Sequence, residues 1–153
     1  MGLDMYLLRK TYVKNWDHMS PKEITTISVT RNGEPLPGID PSKIREVVEE
    51  VAYWRKANQI HNWFVEEVQN GVDDCGEYNV ELEELQDLVD RCKKVLVDHA
   101  LAPELLPTGR GFFFGGTEYD EWYYADLENT IEQLEPLLVE LDAWTDLSYH
   151  SSW

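Results

Sequence analysis

Residues 40–69 read DPSKIREVVEEVAYWRKANQIHNWFVEEVQ, and the state of this stretch decides how much of the chain is left for a sheet. Asp40-Pro41-Ser42 has the makings of a helix start, with Asp40 or Ser42 as cap and Pro41 tolerated in the first turn. Val47, Val51, Trp54, Ile60, Phe64 and Val68 recur at helical spacing, with Ala57 and His61 on the same side. That spacing predicts a helix that breaks near Tyr53 or runs to Gln69, ended by Asn70-Gly71.

On the N-terminal side, Leu3, Met5 and Leu7 alternate with Asp4, Tyr6 and Leu8, which predicts a strand over Leu3 to Val13. Glu23 to Thr30 is rich in Ile, Thr and Val and is the clearest strand by composition. Asn32-Gly33 is a tight-turn signal, and Pro35 and Pro37 confine any pairing after it to an edge.

On the C-terminal side, Glu81 to about His99 is amphipathic, with Leu85, Leu88, Val89, Cys92, Val95 and Leu96 as its buried stripe. Glu81, Glu83 and Glu84 in its first turn and Lys93 and Lys94 later suit the helix dipole. Gly109 to Thr117 is expected to be a strand or hairpin arm. Thr117 is expected to cap a last helix that buries Trp122 or Tyr123, then Leu127, Ile131, Leu134, Leu138 and Leu141. Pro136 should kink or restart that helix, and residues 145–153 read as a loose tail. Few strands and long helices predict an α+β fold, a small antiparallel sheet packed against three or four α-helices in one domain over residues 1–144.

The 153 residues carry a formal net charge of -17. Residues 1–60 hold nine basic and eight acidic side chains, whereas residues 61–153 hold four and twenty-two. An acidic half of this kind repels nucleic acid and anionic membranes and attracts basic protein surfaces. No apolar run approaches the roughly 20 residues of a membrane span. The start of the chain lacks a secretory pattern, so a soluble intracellular protein is expected. Cys75 and Cys92 form neither a metal-type pair nor a disulfide framework. Asp73, Asp74 and Glu77 hint at calcium, but the EF-hand register fails because its first position would be Gly71. No metal and no cofactor is expected, and the common catalytic motifs are absent.

Two segments carry candidate chemistry. In Tyr53 to Phe64, Asn58 and His61 lie three apart and share a helical face. In Phe112 to Tyr124, seven of thirteen residues are aromatic, which implies a large core, with Phe112 and Phe114 inward, a set of protein-interface anchors, or an aromatic-walled cleft that stacks a planar ligand with Arg110 or Arg55 as cation and Glu118 or Asp126 as acceptor. If the two segments meet, a ligand site would gather Asp4, Tyr6, Arg55, Asn58, His61, Glu118, Tyr119 and Trp122. An enzyme built on that site would use His61 as base and Glu118 as its partner.

Three blocks, Met1-Gly2-Leu3-Asp4-Met5-Tyr6-Leu7, Tyr53-Trp54-Arg55-Lys56-Ala57-Asn58 with Ile60-His61, and Gly111-Phe112-Phe113-Phe114-Gly115 with Thr117-Glu118-Tyr119-Asp120-Glu121-Trp122-Tyr123, resemble a group of small uncharacterised bacteriophage and prophage proteins. The resemblance implies a mobile-element origin and residence in the cytoplasm of a bacterial host. By analogy it implies a non-enzymatic accessory protein that binds and blocks a host component, such as a defence machine. The partner would be a host protein with a basic surface, met by exposed acids such as Glu83, Glu84, Asp87, Asp90, Glu128 and Glu132. The alternative is a small-molecule binder that sequesters a nucleotide-like signal, and a homo-oligomer is compatible with either.

Overall fold

The alternating segment at the start of the chain becomes β1 (Asp4–Tyr12), an interior strand of a four-stranded antiparallel sheet. The computed structural model describes residues 2–111 and 113–153, so Met1 and the expected inward Phe112 lie outside the described residues. After β1, Asn32 and Gly33, both at positive φ, turn a two-residue hairpin of β2 (Thr30–Arg31) and β3 (Glu34–Pro35). Then come β4 (Glu46–Arg55), α1 (Asn58–Trp63) with a π-helical extension over Phe64–Val68, and β5 (Tyr78–Val80). The remainder is α2 (Leu82–Val97), α3 (Ala102–Leu105), α4 (Glu121–Leu134) and β6 (Thr145–Ser152). The sheet order is β4-β1-β6-β5, and with its helices it forms the expected α+β domain.

The core lies where one sheet face meets the helices. Leu3, Met5 and Leu7 leading into and along β1, Ala52 and Trp54 of β4, and Leu147 and Tyr149 of β6 are buried against Leu85, Leu88, Val89, Cys92 and Val95 of α2 and Tyr123, Leu127 and Leu134 of α4. Each large apolar side chain so buried contributes about 1.5–3 kcal/mol. Burial also pushes the Cys92 thiol up to about 12, so it behaves as a core residue and not as a nucleophile.

The long helix expected over residues 40–69 is instead a turn at Pro41–Lys43, the strand β4 and the short α1. Its apparent helical period comes from a bulge. Leu7 pairs with Ala52 but Leu8 pairs with Glu50, so Val51 is an extra residue on β4. Ala52 and Trp54 are inward on one side of the bulge, and the extra residue brings Val47, opposite Thr11, back to the same face on the other side, so these inward positions fall five and two residues apart instead of at an even spacing. The β-branched Val47, Val48 and Val51 favour the strand.

Four further expectations change. Glu23 to Thr30 belongs to no sheet beyond Thr30; residues 14–45 form an arm in which no residue is buried. None of the described residues from Gly109 to Thr117 lies in a strand, and Asp120, not Thr117, caps α4 by accepting from the amides of Trp122 and Tyr123 at 3.1 Å each. The segment read as a loose tail is β6, which lies between β1 and β5 and brings Leu147 and Tyr149 into the core. α4 stops at Leu134 and a separate single turn follows at Glu135–Leu137 around Pro136, so Leu138 and Leu141, expected on the helix, lie beyond it and are half-buried.

Candidate functional site

Where β4 gives way to α1, the chain passes through Lys56 at φ 58°, a left-handed conformation that costs a lysine free energy. Its amide donates to Leu3 O at 2.8 Å and its carbonyl accepts from Asn58 N at 2.9 Å. Gly115, at φ 87°, comes so close that a Cβ there would lie 3.2 Å from Lys56 Cβ. This close approach brings the first block of the chain against the aromatic segment.

Asn58 rivets the two together. Its Nδ2 donates to Phe114 O at 2.9 Å and Gly116 O at 2.7 Å, and its Oδ1 accepts from Gly109 N at 3.0 Å. The amide is 2% exposed and uses three of its four hydrogen-bonding positions on backbone. Next to it, buried Gln59 donates to Tyr123 O at 3.3 Å and to Asp126 Oδ2 at 3.1 Å. Burial pushes the Asp126 carboxyl up from its ordinary value, and the Gln59 hydrogen bond pulls it back in part.

Between these walls lies a cleft of about 350 Å³, lined by Arg55, Lys56 and Gln59 on one side and Glu118, Trp122 and Asp126 on the other. That volume is at the small end of ligand sites. Trp122, at 73% exposure, presents an indole to the solvent side. Arg55 lies 3.9 Å from Asp4, a loose pairing, and Lys56 has no ion-pair partner among the described residues. One wall is thus cationic, the other carries a carboxylate, and an unburied aromatic stands at the rim.

Of the eight residues expected at a ligand site, Arg55, Asn58, Glu118 and Trp122 line this cleft. Asp4 stands behind Arg55 and accepts the hydroxyl hydrogen of Tyr53. Tyr119 lies behind the rim, its ring edge-on to Tyr123 at 5.0 Å. Tyr6 is elsewhere, on the sheet face turned from the core, stacked on His150 at 4.8 Å. Asp126, weighed with Glu118 as an acceptor, also lines the cleft, one helical turn beyond Trp122, whereas Lys56 and Gln59 were not singled out from the sequence, although Lys56 adjoins Arg55.

His61 does not join Glu118. It is 1% exposed and lies under Phe114, whose ring meets it edge-on at 5.1 Å. Its Nε2 is 3.1 Å from Asp73 Oδ2 and its Nδ1 is 2.7 Å from Tyr149 Oη. A carboxylate only accepts, so the neutral ring carries its proton on Nε2 and accepts the Tyr149 hydroxyl on Nδ1. Burial pushes His61 below its ordinary value, partly offset by Asp73. Both ring nitrogens are engaged away from the cleft, which removes His61 as a base acting there.

The acids weighed for calcium are each committed to other partners. Asp73 also accepts from the Trp153 indole at 3.1 Å, Asp74 from Gly76 N at 2.8 Å, and Glu77 from Lys10 and Ser148. Among the acids expected to meet a partner, Glu84 closes a capping box on α2 and Asp87 is paired with Arg91 at 2.8 Å. Glu83, Asp90, Glu128 and Glu132 are exposed and have no ion-pair partner among the described residues. Among the described residues no helix is long and apolar enough to cross a membrane. Comparison with protein-family models, curated proteins and solved structures finds no match for this chain.

Proposed function

We propose that this chain is a binding protein that holds a small nucleotide-like molecule in the cleft between β4, α1 and α4. The observation that carries the reading is the meeting of Arg55 and Lys56 with Trp122 and Asp126 around one space of about 350 Å³. The two cations suit a phosphate or other anionic group. The Trp122 indole offers a stacking surface for a planar ring. Asp126 and Glu118 accept from an exocyclic amine or hydroxyl. The burial of His61 away from this space favours binding over hydrolysis. With the resemblance to phage and prophage proteins, the role is sequestration of a nucleotide signal in the host cytoplasm.

The test is a thermal-shift titration with a panel of nucleoside monophosphates and cyclic dinucleotides, with native mass spectrometry of protein freshly purified from its host. A bound ligand at about 100 times its Kd stabilises by roughly 2.7 kcal/mol, a rise of about 5–10 °C for a chain of this size. Trp122→Ala and Arg55→Ala should abolish the rise while leaving the unliganded melting temperature within a few degrees. No shift at millimolar concentration across the panel, together with a bare mass, overturns the proposal.

A second reading rests on Glu83, Asp90, Glu128 and Glu132, which carry charge on α2 and α4 with no internal cation. In that reading the two helices present an acidic surface to a basic host protein, replacing a phosphate backbone. Binding that weakens steeply with salt and with charge reversal at these four positions supports it; capture unaffected by both changes refutes it.

A further inference from the structure

We propose that the arm between β1 and β4 is a strand in waiting, and that residues 23–30 pair with the open edge of β4 in a second copy of this chain. The segment Glu23-Ile24-Thr25-Thr26-Ile27-Ser28-Val29-Thr30 has the composition of a strand, yet only Thr30 lies in one, in the small hairpin, where Val29 O accepts from Leu36 N at 3.0 Å. One side of it is thus met at Val29 and at Thr25. The Asn15 amide donates to Thr25 O at 2.8 Å and accepts from Thr25 N at 2.9 Å, doing what a neighbouring strand would do. On the other side, the backbones of Ile24, Thr26 and Ser28 have no hydrogen bond among the described residues. Ile24 is 52% exposed.

A matching row lies at the rim of the sheet. β4 is an edge strand that pairs only with β1. At Tyr53 its outer groups are met by the Gln133 side chain, which accepts from the amide at 2.9 Å and donates to the carbonyl at 3.0 Å. From Glu46 to Val51 no outer-edge hydrogen bond exists among the described residues, and Val48 is 51% exposed. The open row from Glu46 to Glu50, on the N-terminal side of the bulge, is a template for a strand whose charges complement its glutamates.

Charge selects the occupant. Lys22 and Arg31 flank the arm segment, Glu46 and Glu50 lie on the edge, and none of the four has an ion-pair partner among the described residues. The arm holds five basic and four acidic side chains in a chain of net charge -17, so it is the part of this molecule that an acidic edge attracts. Because each copy carries both arm and edge, the exchange is reciprocal and closes as a two-fold dimer.

The experiment is sedimentation velocity of the full chain from micromolar to millimolar concentration, in about 0.15 M salt, where charges beyond roughly 8 Å are screened. A concentration-dependent dimer is expected. Thr26→Pro removes a donor from the free row at an exposed position and should weaken the dimer roughly a hundredfold, while Thr26→Ala leaves it nearly unchanged. Glu46→Lys with Glu50→Lys should weaken it, and adding Lys22→Glu with Arg31→Glu should restore it. Circular dichroism and melting temperature confirm that each variant stays folded. A chain that stays monomeric throughout, or a dimer indifferent to both Thr26→Pro and the charge reversal, overturns the proposal.

Discussion

Asn58→Ala is the sharpest probe of how the cleft is held. The substitution removes the side chain that ties Gly109, Phe114 and Gly116 to the start of α1. Each such hydrogen bond contributes about 1 kcal/mol net, so the expected loss approaches about 3 kcal/mol. It is reduced where water reaches the freed groups; Gly116 is exposed, and its carbonyl re-solvates most readily. A loss of about 2–3 kcal/mol in urea unfolding is therefore expected. Hydrogen exchange should show lost protection at Gly109 and in the segment up to Thr117, while the amides of β1 follow only the global change. Asn58→Asp adds a sign. Its Oδ1 still accepts from Gly109, but its second oxygen faces two carbonyls in a buried place, which raises its folded pKa above the unfolded value of about 3.9. That variant should be most stable below about pH 3.9 and lose stability as pH rises through the folded value. If Asn58→Ala unfolds within about 0.5 kcal/mol of the parent chain with unchanged exchange at Gly109, the rivet reasoning is wrong.

Other outcomes follow from the same geometry. His61 has a folded pKa pushed below its unfolded value of about 6.5, so its contribution is present above that value and declines as pH falls through it, by at most about 1.4 kcal/mol per pH unit. Urea titrations should show that slope below about pH 6.5 and should lose it in His61→Gln; equal slopes would refute the buried neutral ring. Tyr149→Phe leaves His61 Nδ1 without its donor and should cost about 1–3 kcal/mol, read by thermal unfolding. Asp120→Ala should cost about 1 kcal/mol by loss of the α4 cap, whereas Thr117→Ala should not weaken that helix, and circular dichroism melts distinguish the two.

The α+β class was legible because the amphipathic stripe of α2 and the alternation of β1 are each satisfied by one continuous face. The strand β4 was not, since its bulge at Val51 shifts the two-residue period and leaves Val47, Val51 and Trp54 at helical intervals. Glu23 to Thr30 misled in the opposite direction: propensity describes the segment, but a strand also needs a neighbour, and this chain provides one only at its end, in the β2-β3 hairpin. β6 was hidden by its serines, because a strand between two others is held by its backbone ladder and needs only Leu147 and Tyr149 to face the core. At the cleft, two sequence blocks announced Arg55, Asn58, Glu118 and Trp122, and the close approach of Lys56 and Gly115 that joins them is a backbone event with no side-chain signature. His61 was misplaced because spacing gives a shared helix, not a shared cavity; one turn past Asn58 the helix already faces Tyr149.

The pairing of β1 with β6 has a consequence for how the molecule is made. Thr11 and Thr145 face each other across 134 positions of sequence, so the middle of the sheet cannot close until nearly all of the intervening chain has been synthesised. At about 5–20 residues per second, the roughly 90 residues between β4 and β6 leave β1 paired on one side only for on the order of 5–20 s. During that interval the nascent chain exposes a row of unpaired amides and carbonyls beside Met5 and Leu7, a surface that a chaperone must shield or a neighbouring nascent chain can capture. Closure of the sheet is therefore set by the delivery of β6, and slow translation between β4 and β6 should lower the yield of folded protein.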